Sequence, residues 1–306
     1  MAVNVLEVAL CGCGNMGAAV AARLAGPFEL RVYDRDAELA DACGRALGVS
    51  VAGSVAALAR DAGALVLSLP NAAASRDVVA EAAPHLARGA VVVETSTVAP
   101  ADMVALETFC EENALQLVDA AILSGVAQMR DGRSILLVGG RDDAVEVAAP
   151  VLDALAVRQV RLGGIGSGMA AKVANNAVSH AVMVVLIEAT ALAEAAGVPP
   201  LVLADLLADP DGGLLRPLTH RLRERVLNGE FEGGMPTEAA LKDSALALQM
   251  AADLGVPLYA VKGAHTPYEL SVDAGHGRLD YAAISLLWEE WTGRSLRSVS
   301  KDGPAS

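Results

Sequence analysis

From Val5 to Leu162, short aliphatic runs alternate with longer alanine-rich segments. The runs 5–12 (VLEVALCG), 29–34 (ELRVYD), 64–70 (ALVLSLP), 90–96 (AVVVETS), 115–120 (LQLVDA) and 134–140 (SILLVGG) have strand length and are rich in valine and leucine. Near-continuous apolar runs of this kind suit strands covered on both faces. Between them, 16–25, 36–47, 73–87, 101–113 and 142–155 are long enough for helices. Regular alternation of strand and helix predicts an α/β domain built on a doubly wound parallel sheet.

The alternation stops at Leu162-Gly-Gly-Ile-Gly-Ser-Gly168, where four glycines predict a turn between domains. The expected boundaries are therefore 1–162 for the α/β domain and 163–306 for an all-helical domain. The second domain opens with one long helix, Met169 to about Ala196, ended by Gly197 and Pro199-Pro200. Shorter helical segments follow at 199–208, 214–228, 237–254, 257–270 and 280–291, with no convincing strand. The long helix is apolar around most of its circumference, which suits a large core or a subunit interface. A homodimer or homotetramer formed through residues 163–306, two-fold by default, is the expected assembly.

Composition removes several function classes. Of 306 residues, 54% are hydrophobic, which excludes a disordered chain. Lys plus Arg number 23 against 37 Asp plus Glu, a net charge of −14, and 3% of residues are aromatic. That balance argues against nucleic acid or an anionic membrane as partner. Cys11, Cys13, Cys43 and Cys110 are too few for a disulfide scaffold and read as small packing residues in a reducing cytoplasm. The N-terminus lacks the pattern of a secretory signal. The longest uncharged stretch, 173–187, is interrupted by Asn175, Asn176, Ser179 and His180 and falls short of the ~20 apolar residues of a membrane span. No histidine has metal-ligand spacing, so no metal is expected. Arg216, Arg221, Arg223 and Arg225 read as a solvated helix face, Trp288 and Trp291 as core or interface.

Candidate chemistry begins at Gly12-Cys13-Gly14-Asn15-Met16-Gly17, directly after a strand and opening a helix. In this pattern the first glycine permits a tight turn, the second lets backbone approach a pyrophosphate, and the third lets helix pack on strand. Helix N-terminal amides then face the phosphates. Asp34 ends the second strand-like run, 20 residues after Gly14, where a carboxylate can hold an adenosine ribose. The expectation is a Rossmann domain binding a dinucleotide. Asp34 repels a 2′-phosphate and favours NAD, whereas Arg35 beside it suits NADP; NAD is the expected cofactor, NADP the alternative.

A second constellation is Lys172 with Asn176, early in the long helix. Four residues apart, they share one helix face. A lysine and an Asn-Asn pair in so apolar a helix are costly unless they meet a ligand.

Gly164-Ile-Gly-Ser-Gly-Met-Ala-Ala-Lys172-Val-Ala-Asn-Asn176 resembles the interdomain signature of the β-hydroxyacid dehydrogenases, which include 3-hydroxyisobutyrate dehydrogenase. Glu94-Thr-Ser-Thr97-Val-Ala-Pro100 resembles the family segment that meets nicotinamide and substrate, and Leu241-Lys242-Asp243 its C-terminal cofactor-contacting stretch. The resemblance runs along essentially the whole chain. It implies hydride transfer between nicotinamide and the hydroxyl or carbonyl of a small β-hydroxy acid. It implies Lys172 as catalytic acid and base, with Ser96, Ser124, Gly125 and Asn176 toward substrate. Thr97, Lys242 and the backbone of Leu69-Pro70 would lie toward the cofactor.

One departure bears on substrate. Where the family has Asp-Ala-Pro-Val-Ser-Gly-Gly, this chain has Asp119-Ala-Ala-Ile-Leu123-Ser124-Gly125. Leu123 takes the place of the serine that helps bind a substrate carboxylate, and Ser124 that of the first glycine. Two rival readings remain. One is an imine or other carbonyl reductase on the same fold, against which Lys172 counts. The other is a non-catalytic dinucleotide-binding module, which has no physical reason to keep a costly polar pair.

Overall fold

In the computed structural model, which describes residues 7–298, the aliphatic runs become eight strands. They are β1 (Glu7–Cys11), β2 (Glu29–Tyr33), β3 (Ser50–Val51), β4 (Ala64–Leu67), β5 (Val91–Glu94), β6 (Gln116–Ile122), β7 (Ile135–Gly139) and β8 (Arg158–Gly163). They form one sheet in the order β3-β2-β1-β4-β5-β6-β7-β8. Every pairing is parallel except β6 with β7, which run antiparallel, Asp119 opposite Gly139. The helices between them are α1 (Asn15–Leu24), α2 (Ala37–Leu47), α3 (Val55–Ala59), α4 (Ala72–Ala82), α5 (Pro100–Glu112), α6 (Val126–Arg130) and α7 (Asp142–Leu155).

Alternation along each strand splits the core into two layers. Val8 and Leu10 of β1 join Val20, Leu24 and Leu152 on one face. Ala9 and Cys11 join Leu58, Val79 and Leu106 on the other. Both faces are therefore dry, which is why the strands read as unbroken apolar runs. All four cysteines are free and buried.

The sequence pattern differs from the structure in three places here. The antiparallel β7 departs from an all-parallel sheet: residues 123–134 hold only the five-residue α6 and return the chain on the same edge. β8 was not expected, since the pattern was read as ending in a glycine turn. β3, two residues long, lies below what periodicity can register.

Two compact units divide the chain, Met1–Ala177 and Val178–Ser306. The first extends past the glycine turn, to include the opening turns of the long helix α8 (Ser167–Ala195). In length and composition α8 is long and apolar enough to cross a membrane, because it runs beyond the uncharged stretch 173–187 at both ends. Only 11% of its most apolar window is buried.

The second unit contains α9 (Pro200–Ala208), α10 (Thr237–Leu254), α11 (Tyr259–Ser271) and α12 (Ser285–Thr292), with short π and 3₁₀ turns between them. Among the described residues it has no strand, only a bridge between Pro236 and Asp280. Asp280, fully buried, organises it. The carboxylate accepts N–H bonds from Met235 and Ala282 and pairs with Arg221 at 3.1 Å and Arg225 at 3.6 Å. Arg221 also stacks over the Tyr281 ring. Two of the four arginines expected on a solvated face are thus pinned inward, since a buried carboxylate needs a cation. Glu188 on α8 accepts N–H bonds from Tyr259, Ala260 and Val261, the first turn of α11.

Candidate active site

The strand order reverses between β1 and β4, and open α/β sheets bind ligands at such a switch point. Gly12 turns there with φ +103°, and a Cβ on it would strike the Ser68 carbonyl. Gly17 lies so close beneath that its Cβ would strike the Gly12 carbonyl, which brings α1 down onto the strand. Gly14 has nothing within 4 Å of an added Cβ, so its backbone faces open space. A cavity of about 810 Å³ opens in front of this turn. Gly12, Gly14, Asn15, Met16, Gly17, Asp34, Arg35, Leu69 and Pro70 all line it. Cys13, in contrast, turns its thiol away toward the Tyr33 carbonyl and is buried. A turn drawn tight by Gly12 and Gly17, with the Gly14 backbone open in front of it at a helix N-terminus, fits a dinucleotide pyrophosphate.

Asp34 closes one side of the cavity. Its Oδ2 accepts the Cys13 N–H at 2.7 Å and its Oδ1 the Asp36 N–H at 2.9 Å. The carboxylate is held by backbone on both oxygens, with lone pairs left for a ribose. Asn71 also lines the cavity and caps α4 by accepting the Ala74 N–H. Sequence reasoning missed it, although an Asn just before an alanine run is an N-cap signal.

At the end of β5 a buried carboxylate organises the loops. Glu94 Oε1 accepts the Ser96 N–H at 2.9 Å, and Ser96 Oγ accepts the Leu69 N–H at 2.7 Å. Burial pushes the Glu94 carboxyl up, and the Ser75 and Ser96 groups beside it pull it partway down. Ser96 is thus fastened to the lip of the dinucleotide cavity. Thr97, next along, is exposed and is not among the residues lining that cavity.

The neighbouring strand β6 carries Asp119, also without solvent exposure. Its carboxylate accepts the N–H groups of Gly166 at 2.9 Å and Met169 at 2.8 Å, at the start of α8. Lys172 follows one turn later, half-buried, with Asn176 half-buried on the same face. Burial pushes the Lys172 ammonium below the ordinary lysine range, and no ion pair to it occurs among the described residues. Such an amine gives up its proton more readily than one in water and can take it back. Beyond β6, Leu123 packs on the core with Leu117, and Ser124 shares a hydroxyl hydrogen bond with Ser134 at 2.7 Å. Gly125 is the exposed N-cap of α6. Lys242 lies in the second unit, exposed and ion-paired with Asp243 at 3.0 Å.

Residues 7–164 match the family described as the NAD binding domain of 6-phosphogluconate dehydrogenase. Residues 166–288 match the NAD-binding domain of NADP-dependent 3-hydroxyisobutyrate dehydrogenase. The chain is 30% identical over 285 residues to the 3-sulfolactaldehyde reductase of Escherichia coli K12, covering 90% of this chain and 94% of that protein. Among solved structures, the 3-hydroxyisobutyrate dehydrogenase of Mycobacterium tuberculosis with L-serine superposes with a TM-score of 0.64 at 26% identity, over 93% of this chain and 99% of that one. An imine reductase from Myxococcus stipitatus with NADP⁺ superposes at 0.83 with 19% identity, over 92% and 99%, a likeness of fold alone.

Proposed function

This chain belongs to the β-hydroxyacid dehydrogenase family and is an NAD(P)-dependent oxidoreductase of the 3-hydroxyisobutyrate dehydrogenase type; from that premise we propose that Lys172 is its general acid and base. The observation that carries the proposal is a half-buried lysine with no ion pair among the described residues and a half-buried asparagine on the same helix face. Nicotinamide, when bound, supplies the hydride acceptor or donor. In oxidation the substrate hydroxyl gives its proton to the neutral Lys172 amine, and a carbonyl is left. In reduction the Lys172 ammonium polarises that carbonyl and protonates the forming alkoxide. Asn176 orients the substrate oxygen, and Ser96 and the Ser124-Gly125 turn border the substrate.

The proposed cofactor preference is NAD, because Asp34 presents a carboxylate where NADP carries phosphate. The proposed substrate is a small hydroxy acid whose acidic group is bound otherwise than in relatives that use a serine at the Leu123 position. The related reductase named for a sulfonated aldehyde and the related dehydrogenase seen with L-serine mark the range of head groups to test.

The proposed assembly is a cytoplasmic homodimer built on α8. Val178, Met183, Val184 and Ile187 of that helix are exposed in the single chain, and α9 buries none of its residues. A second copy is favoured over a bilayer. Asn175, Asn176, Ser179 and His180 interrupt the apolar surface, and Glu188 is tied to α11 within the folded unit.

The deciding experiment is a cofactor-reduction screen with NAD and NADP against 3-hydroxyisobutyrate, L-serine, sulfonated hydroxy compounds and polyol acids, in the parent and in Lys172→Ala. Lys172→Ala should keep dinucleotide affinity and lose ~10²–10⁴ in turnover. Turnover within about threefold of the parent would remove the lysine from the mechanism.

A further inference from the structure

The glycine-rich approach to α8 has a partner in the sheet that nothing in its local sequence announces. A helix start leaves its first N–H groups without acceptors, and a side chain at the N-cap usually supplies one. Here the residue before α8 is Gly166, which has no side chain to offer. The acceptor comes from 47 residues upstream: Asp119 Oδ1 takes the Gly166 N–H, and Oδ2 takes the Met169 N–H. The Gly168 N–H also bears on this carboxyl. Burial pushes it up, and those amides pull it partway back.

The fit is close enough to dictate glycine on both sides. A Cβ on Gly139, across the antiparallel pairing, would strike Asp119 Oδ1. A Cβ on Gly168 would stand 2.7 Å from Oδ2 and collide with the Leu137 carbonyl. Gly166, at φ +84°, presses on Pro100, whose carbonyl an added Cβ would meet at 3.0 Å. The carboxylate thus sits in a cage of glycine backbone at the positive end of the helix that bears Lys172. Lys172 stands three residues beyond Met169, so the register of this grip sets where the amine stands.

We propose that Asp119 is a positioning residue for the Lys172 proton transfer, a buried carboxylate that grips the amides opening α8 and fixes the lysine against the sheet. It touches neither substrate nor cofactor and acts through the helix. Displacement of a reacting group by about 1 Å can cost on the order of 10²-fold in rate. The proposal rests on the assignment of Lys172 above, and its test separates the two.

The test is a double-mutant cycle on the full chain, read with NADH and the panel's best carbonyl substrate. Enzyme is kept in excess, so that single turnovers stay measurable without the lysine. Asp119→Asn keeps one acceptor but sets an NH₂ against an amide N–H. It should lower turnover about 10–100-fold while NADH affinity stays within about threefold. In a Lys172→Ala background the same change should cost less than about threefold, since there is no lysine left to misplace. The lysine limb of the pH–rate profile should also move up toward the ordinary range. Equal losses in both backgrounds, or a limb that does not move, would overturn the proposal. If Asp119→Asn does not fold, Asp119→Ser, which removes the two-oxygen grip without adding bulk, is judged by the same outcomes. Parent-like turnover in Lys172→Ala alone is a different failure, that of the lysine assignment.

Discussion

A half-buried lysine with no ion pair among the described residues holds its proton less tightly than one in water, because burial penalises the ammonium. Oxidation needs the free amine, so its rate should climb with pH through a midpoint below 10.5, the ordinary lysine value. Reduction needs the ammonium and should fall over the same interval. Both limbs should vanish in Lys172→Ala, as pH–rate profiles in the two directions would show. Asp34→Ala should relax the choice of dinucleotide toward NADP, since a close carboxylate repels the 2′-phosphate. A parent with higher kcat/KM for NADP would mean that Arg35, which lines the same cavity, outweighs it. At this scale the glycine fingerprint was legible as a pattern and Gly17 from its neighbour Gly12, although the Ser68 carbonyl that confines Gly12 lies 56 residues on. Asp119 and Glu94 were not. Each reads as the polar end of an aliphatic strand, and the partners that give Asp119 its meaning lie 47 and 50 residues away.

Elements whose two faces are both buried announce themselves by composition, so β1, β2, β4, β5 and β7 fall within the aliphatic runs, and β6 runs two residues past its own. Helices α2, α7 and α10 fall within a residue of expectation, and Gly48 and Gly255 close the first and last of them. The segment 214–228 is a π turn over Pro217–Arg223 and a 3₁₀ turn over Val226–Asn228 instead of one helix. Its arginines are drawn to Asp280, a tertiary demand that periodicity does not carry. The joint between α8 and α11 offers a test at this scale. Burial pushes the Glu188 carboxyl up, but three N–H bonds from α11 outweigh it and hold it below the usual range. A carboxylate with its folded pKa below its unfolded one contributes stability that is complete above the unfolded value. That stability is lost as pH falls through the folded value. Glu188→Gln should therefore lower the unfolding temperature near neutrality and flatten its fall in acid. The loss near neutrality should be about 1–2 kcal/mol, the usual worth of a helix cap. An unchanged acid slope in calorimetry would show that other carboxylates dominate.

For the molecule as a whole, the second unit has small cores, such as Val226 with Phe231, Ala282 and Ala283. Leu201 at 72%, Leu206 at 62% and Ile187 at 57% stand exposed in the single chain. Exposed apolar surface on this scale is the basis of the proposed interface. Light scattering in moderate salt should report a two-fold oligomer at micromolar concentration, and a stable, active monomer would refute it. The change from α/β to all-α was legible in the hydrophobic rhythm. The extent of the first unit was not, because the contacts that tie the start of α8 to the sheet domain, the Asp119 grip and the packing of Met169 in its core, are tertiary. That grip has a consequence for how such enzymes diversify. The seam at Ala177/Val178 falls after both Lys172 and Asn176, so the groups proposed for the chemistry are inherited with the nucleotide domain. Substitutions downstream of that seam leave Lys172 and Asn176 within the unit that carries the nucleotide cavity.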